Sequence, residues 1–466
     1  MIGTQFLTKN VKIRQRRSPF GPILGSLRAP AFRWWFLSQV LSASGSMTQG
    51  VAQAWLVLRL TGSGLDLGLL SSLFMLPVLL GGPIAGAITD RVDRRRLLIV
   101  TQSLFILLAA SLAILTATGA VRVWMLFVLA FATGAVSAPD GAARQVYVMD
   151  LVGRERLASA VSMNEVVLNL SRVIGPALGG LFLATLGIAA CFAANAASYL
   201  PPLLVLLMIN RLMSAGPARP VEVPAAGPAR RLEAPAAAAT RPGVREGPWR
   251  GVAAGLAYAW RKPEIRSLLL MAAASGMLFN LGVALPLLAT STLHLGGAGY
   301  GLLMAAFGVG GVGGAVLAAS GQSIPSGRSV RLLAVLTGLS ILATAAAPGA
   351  GLAFPGMVLT GCLSIWFIAR ANTLAQLVAD PAMRGRVMGI WVMALPGMQP
   401  VTSPVVGFTA EAAGARAGFG LAGAALLLTA AAGWRSLADH GGAPGRDRSV
   451  SAPRSTVTPE GSAATP

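Results

Sequence analysis

Charged residues are scarce in this chain: they make up 11% of its 466 residues, and only 16 are acidic. A soluble protein of this length would be about a quarter charged, so a single soluble core is excluded. The chain also has only two cysteines and two histidines, which lie far apart in the sequence. This shortage excludes a disulfide framework and a metal-ligand cluster, and we expect no metal site and no cofactor.

Enzyme motifs are missing as well. The sequence has no Walker loop and no nucleophile–base pair, so we expect that the protein is not an enzyme. The glycine-rich stretch 301–314 lies in an apolar run without a following Lys-Ser/Thr, which predicts close helix packing rather than a phosphate loop. The net charge of +21 comes from basic residues between apolar runs, and we therefore expect no nucleic-acid partner.

Apolar sequence is abundant, with 55% hydrophobic residues and a mean hydropathy of +0.69. Runs of about 20 residues are long enough to cross a hydrocarbon core of roughly 30 Å. They predict an all-α, polytopic membrane protein with twelve transmembrane helices in two six-helix halves. The predicted spans are 34–58, 66–89, 97–118, 123–149, 158–184, 188–208, 267–292, 298–320, 332–347, 351–378, 387–411 and 417–434.

The segments between and around these runs predict the domain organisation. Apolar residues at helical spacing in 249–261 predict an amphipathic helix on the membrane surface, after a linker rich in Pro, Ala and Arg. The expected parts are a basic cytoplasmic N-terminal segment at 1–31, a six-helix bundle at 32–208, a cytoplasmic linker at 209–266, a second bundle at 267–437 and a disordered cytoplasmic tail at 438–466.

The distribution of basic residues predicts the orientation. With both termini inside, 31 of the 37 Lys and Arg residues face the cytoplasm, as the positive-inside rule requires. The outer loops and the spans hold only Arg59, Arg122, Arg416, Arg144, Arg172 and Arg370. We therefore expect a multi-pass protein of the bacterial inner membrane with both termini in the cytoplasm.

The two halves repeat each other. Asp150 after the fourth span recurs as Asp380 after the tenth, and two arginines follow each of them at the same offset of 230 residues. Pro176-x-x-Gly179 in the fifth span recurs as Pro404-x-x-Gly407 in the eleventh. Duplicated halves of this kind are typical of secondary transporters that enclose a cavity between them.

The loop between the second and third spans reads G-A-I-T-D-R-V-D-R-R-R from residue 86 to residue 96. Gly86 would permit close helix approach, and Asp90 would cap the next helix or bind the other half. Arg91, Arg94 and Arg95 would bind carboxylates or lipid phosphates. We interpret it as a gating loop, because a merely positive-inside loop explains the arginines and not the Gly86/Asp90 spacing.

The fifth span carries Gly175, Pro176, Gly179 and Gly180. The proline would bend the helix, while the glycines would let a partner helix approach closely and seal the cavity against ion leak. Ordinary small-residue packing is the alternative interpretation.

Both motifs resemble those of a known family. The loop is similar to the signature G-x-x-x-D-R-x-G-R-R of the major facilitator superfamily, with Asp93 where glycine is usual. The fifth-span element resembles the G-P-x-x-G-G element of drug/proton antiporters. Over residues 32–436 the chain resembles the branch of transmembrane secretion effectors that includes enterobactin exporters and macrolide-efflux proteins. The resemblance implies the major facilitator fold and export coupled to protons.

Charges inside the spans are costly, at about 2.5 kcal/mol or more each, and therefore mark candidate coupling residues. Asp140 and Arg144 are spaced to pair on one helix face, and Glu165, Asn169 and Arg172 form a polar stripe on the next span. We expect Glu165, at the depth of Arg144, to carry the proton, with Asp140 as second choice. A purely structural ion-pair cluster is the alternative.

Arg370 in the tenth span occupies the slot of Asp140, so it would meet Asp140 across the cavity or face an anionic substrate. Other polar or large residues are predicted to face the cavity: Gln39, Gln49, Gln53, Tyr147, Asn169, Asn280, Trp366 and Asn372.

These features together predict a proton-coupled exporter that moves an amphipathic, drug-like or siderophore-like molecule by alternating access. Its expected partners are the small-molecule substrate, protons and membrane lipids, and we expect a monomer. An importer or lipid flippase on the same fold is one alternative, and a non-transporting membrane sensor or scaffold is another.

Overall fold

The computed structural model describes residues 30–152, 157–214, 248–320 and 324–437, and within these ranges it contains helices and no strand. The predicted N-terminal segment, most of the linker and the tail lie outside them. The helices of the first half are α1 (Pro30–Thr61), α2 (Gly64–Arg91), α3 (Arg94–Ala117), α4 (Val123–Val152), α5 (Leu157–Thr185), α6 (Ile188–Ser198) and α7 (Leu200–Ser214).

The helices that follow the linker are α8 (Pro248–Arg261), α9 (Pro263–Leu278), α10 (Leu281–Leu287), α11 (Gly297–Ser320), α12 (Gly327–Ala345), α13 (Ala350–Val378), α14 (Arg384–Ala394), α15 (Gln399–Ala412) and α16 (Ala415–Ala432). A π-helical turn, Leu288–Thr292, extends α10.

Nine helical segments of the described ranges are long and apolar enough to cross a membrane, and the bent pair α9–α10 makes ten. Two further spans are formed by the long helix α1, which packs in the first half, and by the pair α14–α15, which packs in the second half. This arrangement is consistent with twelve spans in two halves, so the predicted all-α, polytopic membrane fold is confirmed.

Three of the predicted spans are broken rather than continuous. The sixth breaks at Tyr199, just before Pro201 and Pro202, and becomes α6 and α7. The seventh bends by 46° between α9 and α10, and the eleventh breaks around Pro396 between α14 and α15. Proline lacks a backbone N–H and clashes with the preceding turn, which explains the breaks in the sixth and eleventh spans.

The two halves meet along two helix pairs, α5 with α11 and α2 with α15. We call the end of the bundles where α7 ends and α8 begins the linker end, and the opposite end the far end. The starts of α2 and α11 and the ends of α5 and α15 lie at the far end. These two pairs enclose the space between the halves.

The internal repeat also includes a contact between an arginine of the third span and the end of the sixth span of each half. In the first half, Arg95 Nε at the start of α3 donates to the Leu206 carbonyl of α7 over 2.8 Å. In the second half, Arg331 in α12 donates to the Trp434 carbonyl and lies over the ring of that tryptophan. In each half, an arginine of the third span therefore anchors the end of the sixth span.

The amphipathic helix α8 packs on α14 through its small residues. A Cβ built on Gly255 would lie 3.0 Å from Ile390 and 3.1 Å from Arg386, and Ala259 is buried. Leu256 and Trp260 remain exposed. The predicted apolar stripe therefore faces away from the protein, as a helix at a membrane surface requires.

Candidate transport cavity

A cavity of about 460 Å³ lies between the halves. Helices α1 to α6 of the first half form most of its wall, and the second half contributes Phe279, Gly282, Tyr300 and Met304. The volume falls in the range of roughly 300–1,000 Å³ that is usual for drug-sized ligands.

An ion pair sits in the wall of this cavity. Asp140 is 4% exposed, and its Oδ2 accepts a hydrogen bond from Arg144 Nη2 one helical turn away. Its Oδ1 accepts from Thr101 Oγ1 at 2.7 Å and from Gln102 Nε2 at 3.2 Å. Arg144 Nη1 also donates to Gln39 Oε1. The pair thus joins α1, α3 and α4, and both charges are compensated within the first half.

A polar stripe on α1 lines the cavity next to this pair. Ser42, Ser46, Gln49 and Gln53 recur at helical spacing and all line the wall. Asn195 Nδ2 of α6 donates to Gln49 Oε1 over 2.7 Å. The two glutamines were predicted to face the cavity and the serines were not, although all four residues share the helical spacing that places them on one face.

Aromatic side chains complete the wall. Phe105 and Tyr199 stack with their ring centroids 5.1 Å apart, and the Tyr199 hydroxyl lies 2.9 Å from Ser46 Oγ. Trp55 of α1 stacks on Tyr300 of α11 at 6.5 Å, which joins the two halves. These aromatic residues were not predicted, because a single aromatic residue in an apolar run gives no signal of its neighbours.

Small residues close the far end between α2 and α15. A Cβ built on Gly64 would lie 2.5 Å from the Gly407 carbonyl oxygen, and one built on Gly68 would lie 2.6 Å from that of Ser403. Ser72 Oγ donates to the Pro400 carbonyl over 2.9 Å. The backbones of the two helices are therefore in direct contact over two turns. We call this region, residues 63–72 against 400–411, the far-end contact.

A carboxylate completes the far-end contact. Glu411 Oε2, near the end of α15, accepts from Ser63 Oγ at 3.1 Å and from the Leu65 backbone N–H at 3.2 Å. Ser63 is itself the N-cap of α2. A carboxylate near a helix N-terminus satisfies free N–H groups and is favoured by the helix dipole. Glu411 therefore ties the second half to the start of α2.

The glycines of the fifth-span element contact two different helices. A Cβ on Gly175 would lie 2.6 Å from the Ser44 carbonyl of α1, and one on Gly179 would lie 3.1 Å from Val51. A Cβ on Gly180 would lie 2.8 Å from the Ala298 carbonyl of α11. Pro176 lies inside α5 between these contacts. The element thus holds α5 against α1 within its half and against α11 across the halves.

The predicted gating loop has its main contacts within the first half. Asp93, not Asp90, caps α3, since its Oδ1 accepts from the Arg96 N–H at 2.8 Å. Arg94 pairs with Asp150 of α4 at 2.9 Å. Arg95 binds the end of α7, as described above. The expectation that Asp90 caps the next helix is wrong, because Asp93 stands closer to its first turn.

Three residues of the loop motif remain: Gly86, Asp90 and Arg91. Arg91 is exposed in the last turn of α2. The surroundings of Gly86 and the side chain of Asp90 lie outside the described part of the structure, so the proposed contact between Asp90 and the other half stays a prediction.

Glu165 differs from the expectation. Its side chain is exposed, and it is not among the described residues of the cavity wall. The backbone of Arg172 contacts Gly308 of α11, and Glu165 lies two turns further toward the linker end on the same face of α5. Glu165 therefore does not lie in the cavity wall, where a proton carrier was expected.

Several predicted cavity residues serve other contacts. Gln39 binds Arg144 behind the wall, and Asn280 bonds Thr402 and Ser403 of α15. Trp366 packs in the core of the second half near the linker end. Tyr147 packs on Trp35, Asn169 donates to the Glu165 carbonyl, and Asn372 accepts from Gln376. These three predicted residues, together with Arg172 and Arg370, are not among the described residues of the wall.

Asp140 takes its three described partners from its own half, rather than pairing with Arg370 across the cavity. The pair with Arg144 therefore leaves Asp140 without need of a second cation. Among the described residues no group of three or more potential metal ligands is found.

The chain is similar to a family of membrane transporters along most of its length. The family pattern described as transmembrane secretion effector matches residues 18–225 and 231–453. The multidrug efflux pump Tap of Mycolicibacterium fortuitum is 30% identical over 84% of this chain and 92% of its own length. The enterobactin exporter EntS of Citrobacter koseri is 28% identical over 86% and 91%, respectively.

Solved structures agree on the fold. The nucleoside transporter NupG superposes with a TM-score of 0.64 at 11% identity, covering 87% of this chain and 98% of its own. An inward-facing bacterial homologue of the lysosomal transporter Spinster superposes with a TM-score of 0.62 at 15% identity, covering 90% and 99%. At these identities the similarity concerns the fold alone.

Proposed function

The chain belongs to the transmembrane secretion effector family of the major facilitator superfamily, and from this premise we propose that it exports an amphipathic small molecule from the cytoplasm in exchange for protons. That it is a multi-pass membrane transporter follows from the family and the fold. Direction, coupling and the alternating-access mechanism are the proposal.

The observation that carries the proposal is a drug-sized cavity between two halves whose backbones touch at the far end. With the linker end in the cytoplasm, as the basic residues require, the far-end contact seals the outer side. Alternating access then consists of breaking this contact while the linker ends approach each other. The contact consists of hydrogen bonds and close glycine packing. These interactions can be broken and reformed without burying a charge.

For the coupling step we propose Asp140, ahead of Glu165. Asp140 is the carboxylate found among the described residues of the cavity wall, and its main partner is Arg144. A proton that binds Asp140 from the outer side would release Arg144 from the pair, and its departure to the inner side would restore it. The wall beside α1, α3 and α4 would then change with each proton.

The relatives support export over import. Tap is named a multidrug efflux pump and EntS an enterobactin exporter. A staphyloferrin A transporter of Staphylococcus aureus is 31% identical over 38% of this chain and 45% of its own length. Importers and lipid flippases share the fold and are the alternatives to export, whereas the family match argues against a membrane sensor without transport.

The test is accumulation in a bacterial strain that lacks its own efflux pumps. Cells that express the full chain and cells with an empty vector are loaded with a panel of amphipathic dyes, with and without a protonophore. We expect lower accumulation of at least one dye, and loss of the difference with the protonophore. Higher accumulation would indicate an importer, and equal accumulation at normal protein levels in the membrane would contradict transport of the panel.

A further inference from the structure

The charges in the wall of the central cavity cancel. Asp140 and Arg144 are the charged residues among the described residues that line it. They bind each other, Asp140 Oδ1 also accepts from Thr101 and Gln102, and Arg144 Nη1 donates to Gln39. The described part of the wall therefore offers no unpaired carboxylate to select cations and no unpaired guanidinium to select anions.

The rest of the wall is aromatic or neutral and polar. Five rings line it, those of Phe74, Phe105, Tyr199, Phe279 and Tyr300. Uncharged polar side chains from α1, α4, α5 and α6 lie between them: Ser42, Ser46, Gln49, Gln53, Thr133, Ser137, Ser171 and Asn195. Flat apolar surfaces and hydrogen-bonding edges are the ligand features that such a wall complements.

While Asp140 is ionised and paired with Arg144, which is the state that would receive substrate from the cytoplasm in the proposed exchange, a charged ligand would lose its hydration in this cavity without gaining a partner. It would have to enter unpaired, or to displace one member of the Asp140–Arg144 pair and leave the other without its counter-charge inside the protein. An uncharged ligand meets neither cost. We infer, on the basis of the proposed export function, that the substrates are uncharged, amphipathic molecules with an aromatic or flat apolar body. Organic cations and polyanionic iron chelators are excluded from this class.

The test compares ligands that differ in charge. The purified full-length protein in nanodiscs is titrated with N-phenyl-1-naphthylamine, which is uncharged, and with 8-anilino-1-naphthalenesulfonate, which adds a sulfonate to the same rings. Ethidium serves as the cation, and empty nanodiscs correct for partition into lipid. We expect the uncharged probe to bind at least roughly tenfold more tightly than either charged probe, the effect of about one lost charge-assisted interaction.

Variants of the pair sharpen the test. Asp140→Asn leaves Arg144 uncompensated and should shift preference toward the sulfonate by roughly tenfold, while Arg144→Gln should shift it toward ethidium by a similar factor. The double variant Asp140→Asn/Arg144→Gln is neutral again and should regain the preference of the parent. It also controls for loss of structure, because a misfolded cavity would not recover selectivity.

Three outcomes would overturn the inference: equal or tighter binding of a charged probe by the parent, single variants that do not change the order, or no binding of the uncharged probe. Export of a charged dye in the cellular assay, together with its tighter binding, would reject the uncharged class and leave the transport function standing. Selective binding of the uncharged probe without any change in accumulation would instead reject the transport function.

Discussion

At the residue scale, the chain departs from the family pattern at Asp93, the residue that caps α3. The signature loop has glycine where this chain has Asp93, and the Asp93 carboxylate caps α3. A side-chain cap typically contributes about 1 kcal/mol over alanine but only roughly a few tenths of a kcal/mol over glycine, so the aspartate adds little stability to the glycine of the family pattern. The N-cap of α3 is Asp93, so the capping role that its spacing suggested for Asp90 is not needed.

Two carboxylates compete for the coupling role, and a paired substitution separates them. Asp140→Asn should abolish gradient-driven efflux, because asparagine cannot exchange a proton and cannot hold the Arg144 guanidinium as an ion pair. Glu165→Gln should leave efflux within about twofold, since Glu165 is exposed and outside the wall. Dye efflux against a gradient measures both. Normal efflux by the first variant and none by the second would restore Glu165 as the carrier.

A second ion pair, Lys262 with Asp380, has a defined pH window. The hydrogen bond between them is 2.8 Å long, lowers the pKa of Asp380 below its usual 3.8 and raises that of Lys262 above its usual 10.5. The lowered carboxylate pKa gives stability that is present above pH 3.8 and lost as pH falls through the folded value. The raised lysine pKa gives stability that is present below pH 10.5 and lost as pH rises further.

Asp380→Asn should therefore lower the thermal unfolding temperature slightly between about pH 5 and pH 9, because exposed ion pairs contribute little. The difference from the parent should shrink as the pH falls below 3.8, because the carboxylate of the parent then becomes protonated too. Thermal unfolding in detergent over this range measures it. A difference that persists unchanged in acid would mean that the substitution acts through packing and not through the charge.

At the element scale, α2 and α15 form a contact that only small residues permit. Gly64, Gly68 and Ser72 of α2 lie one turn apart, as do Ser403 and Gly407 of α15. Because the two helices run in opposite directions, these residues meet in pairs along the far end. Helix association in lipid relies on such close packing, since lipid tails remove the hydrophobic driving force.

Gly407→Val should open the far end, because a side chain there would overlap the Gly64 backbone. The reporter is Thr133→Cys, in the cavity wall on α4, in a background where Cys191 and Cys362 are alanine. Labelling by an impermeant maleimide added outside whole cells should rise several-fold as the closed state loses population.

Gly389→Val is the matched control, because nothing lies within 4 Å of a Cβ built there. It should leave the labelling unchanged. Equal labelling of the Gly407 variant and the parent, at equal levels in the membrane, would show that the far-end contact does not limit outer access.

At the scale of the whole molecule, the duplicated halves keep their anchors and differ in their loops. Both halves tie the end of the sixth span to an arginine of the third, but the repeated aspartates take different partners. Asp150 binds Arg94 of the gating loop, whereas Asp380 binds Lys262 beside α8. The second half therefore uses its aspartate to hold the linker helix.

The orientation is testable from the ends of two spans of the second half. A cysteine at exposed Ile324, near the linker end, should label only from the cytoplasm, and one at Gly349, at the far end, only from outside. Labelling in inverted vesicles and whole cells distinguishes the two sides. The reverse pattern would overturn the proposed orientation, and labelling of both positions from one side would contradict the span count.

The membrane fold was predictable from apolar run length and composition. Long apolar runs must form helices in lipid, since no water is available to bond free backbone groups, so composition and run length were enough. The pairing of Asp140 with Arg144 was also readable, because residues four apart share one helix face. The spans that break near prolines were harder to place, since proline can either bend a helix or begin a new one.

Which residues share the cavity depends on helix packing and could not be fully predicted from the sequence. Ser46, Tyr199 and Tyr300 come together from α1, α6 and α11 by helix packing, which local periodicity does not encode. Glu165 has the spacing and depth of a buried carrier, yet it is exposed, because burial depends on which neighbouring helix covers that face. Glu411 became a bridge between the halves for the same reason: its partners lie more than 300 residues away in the chain, and only the packing of α15 on α2 brings them within hydrogen-bond distance.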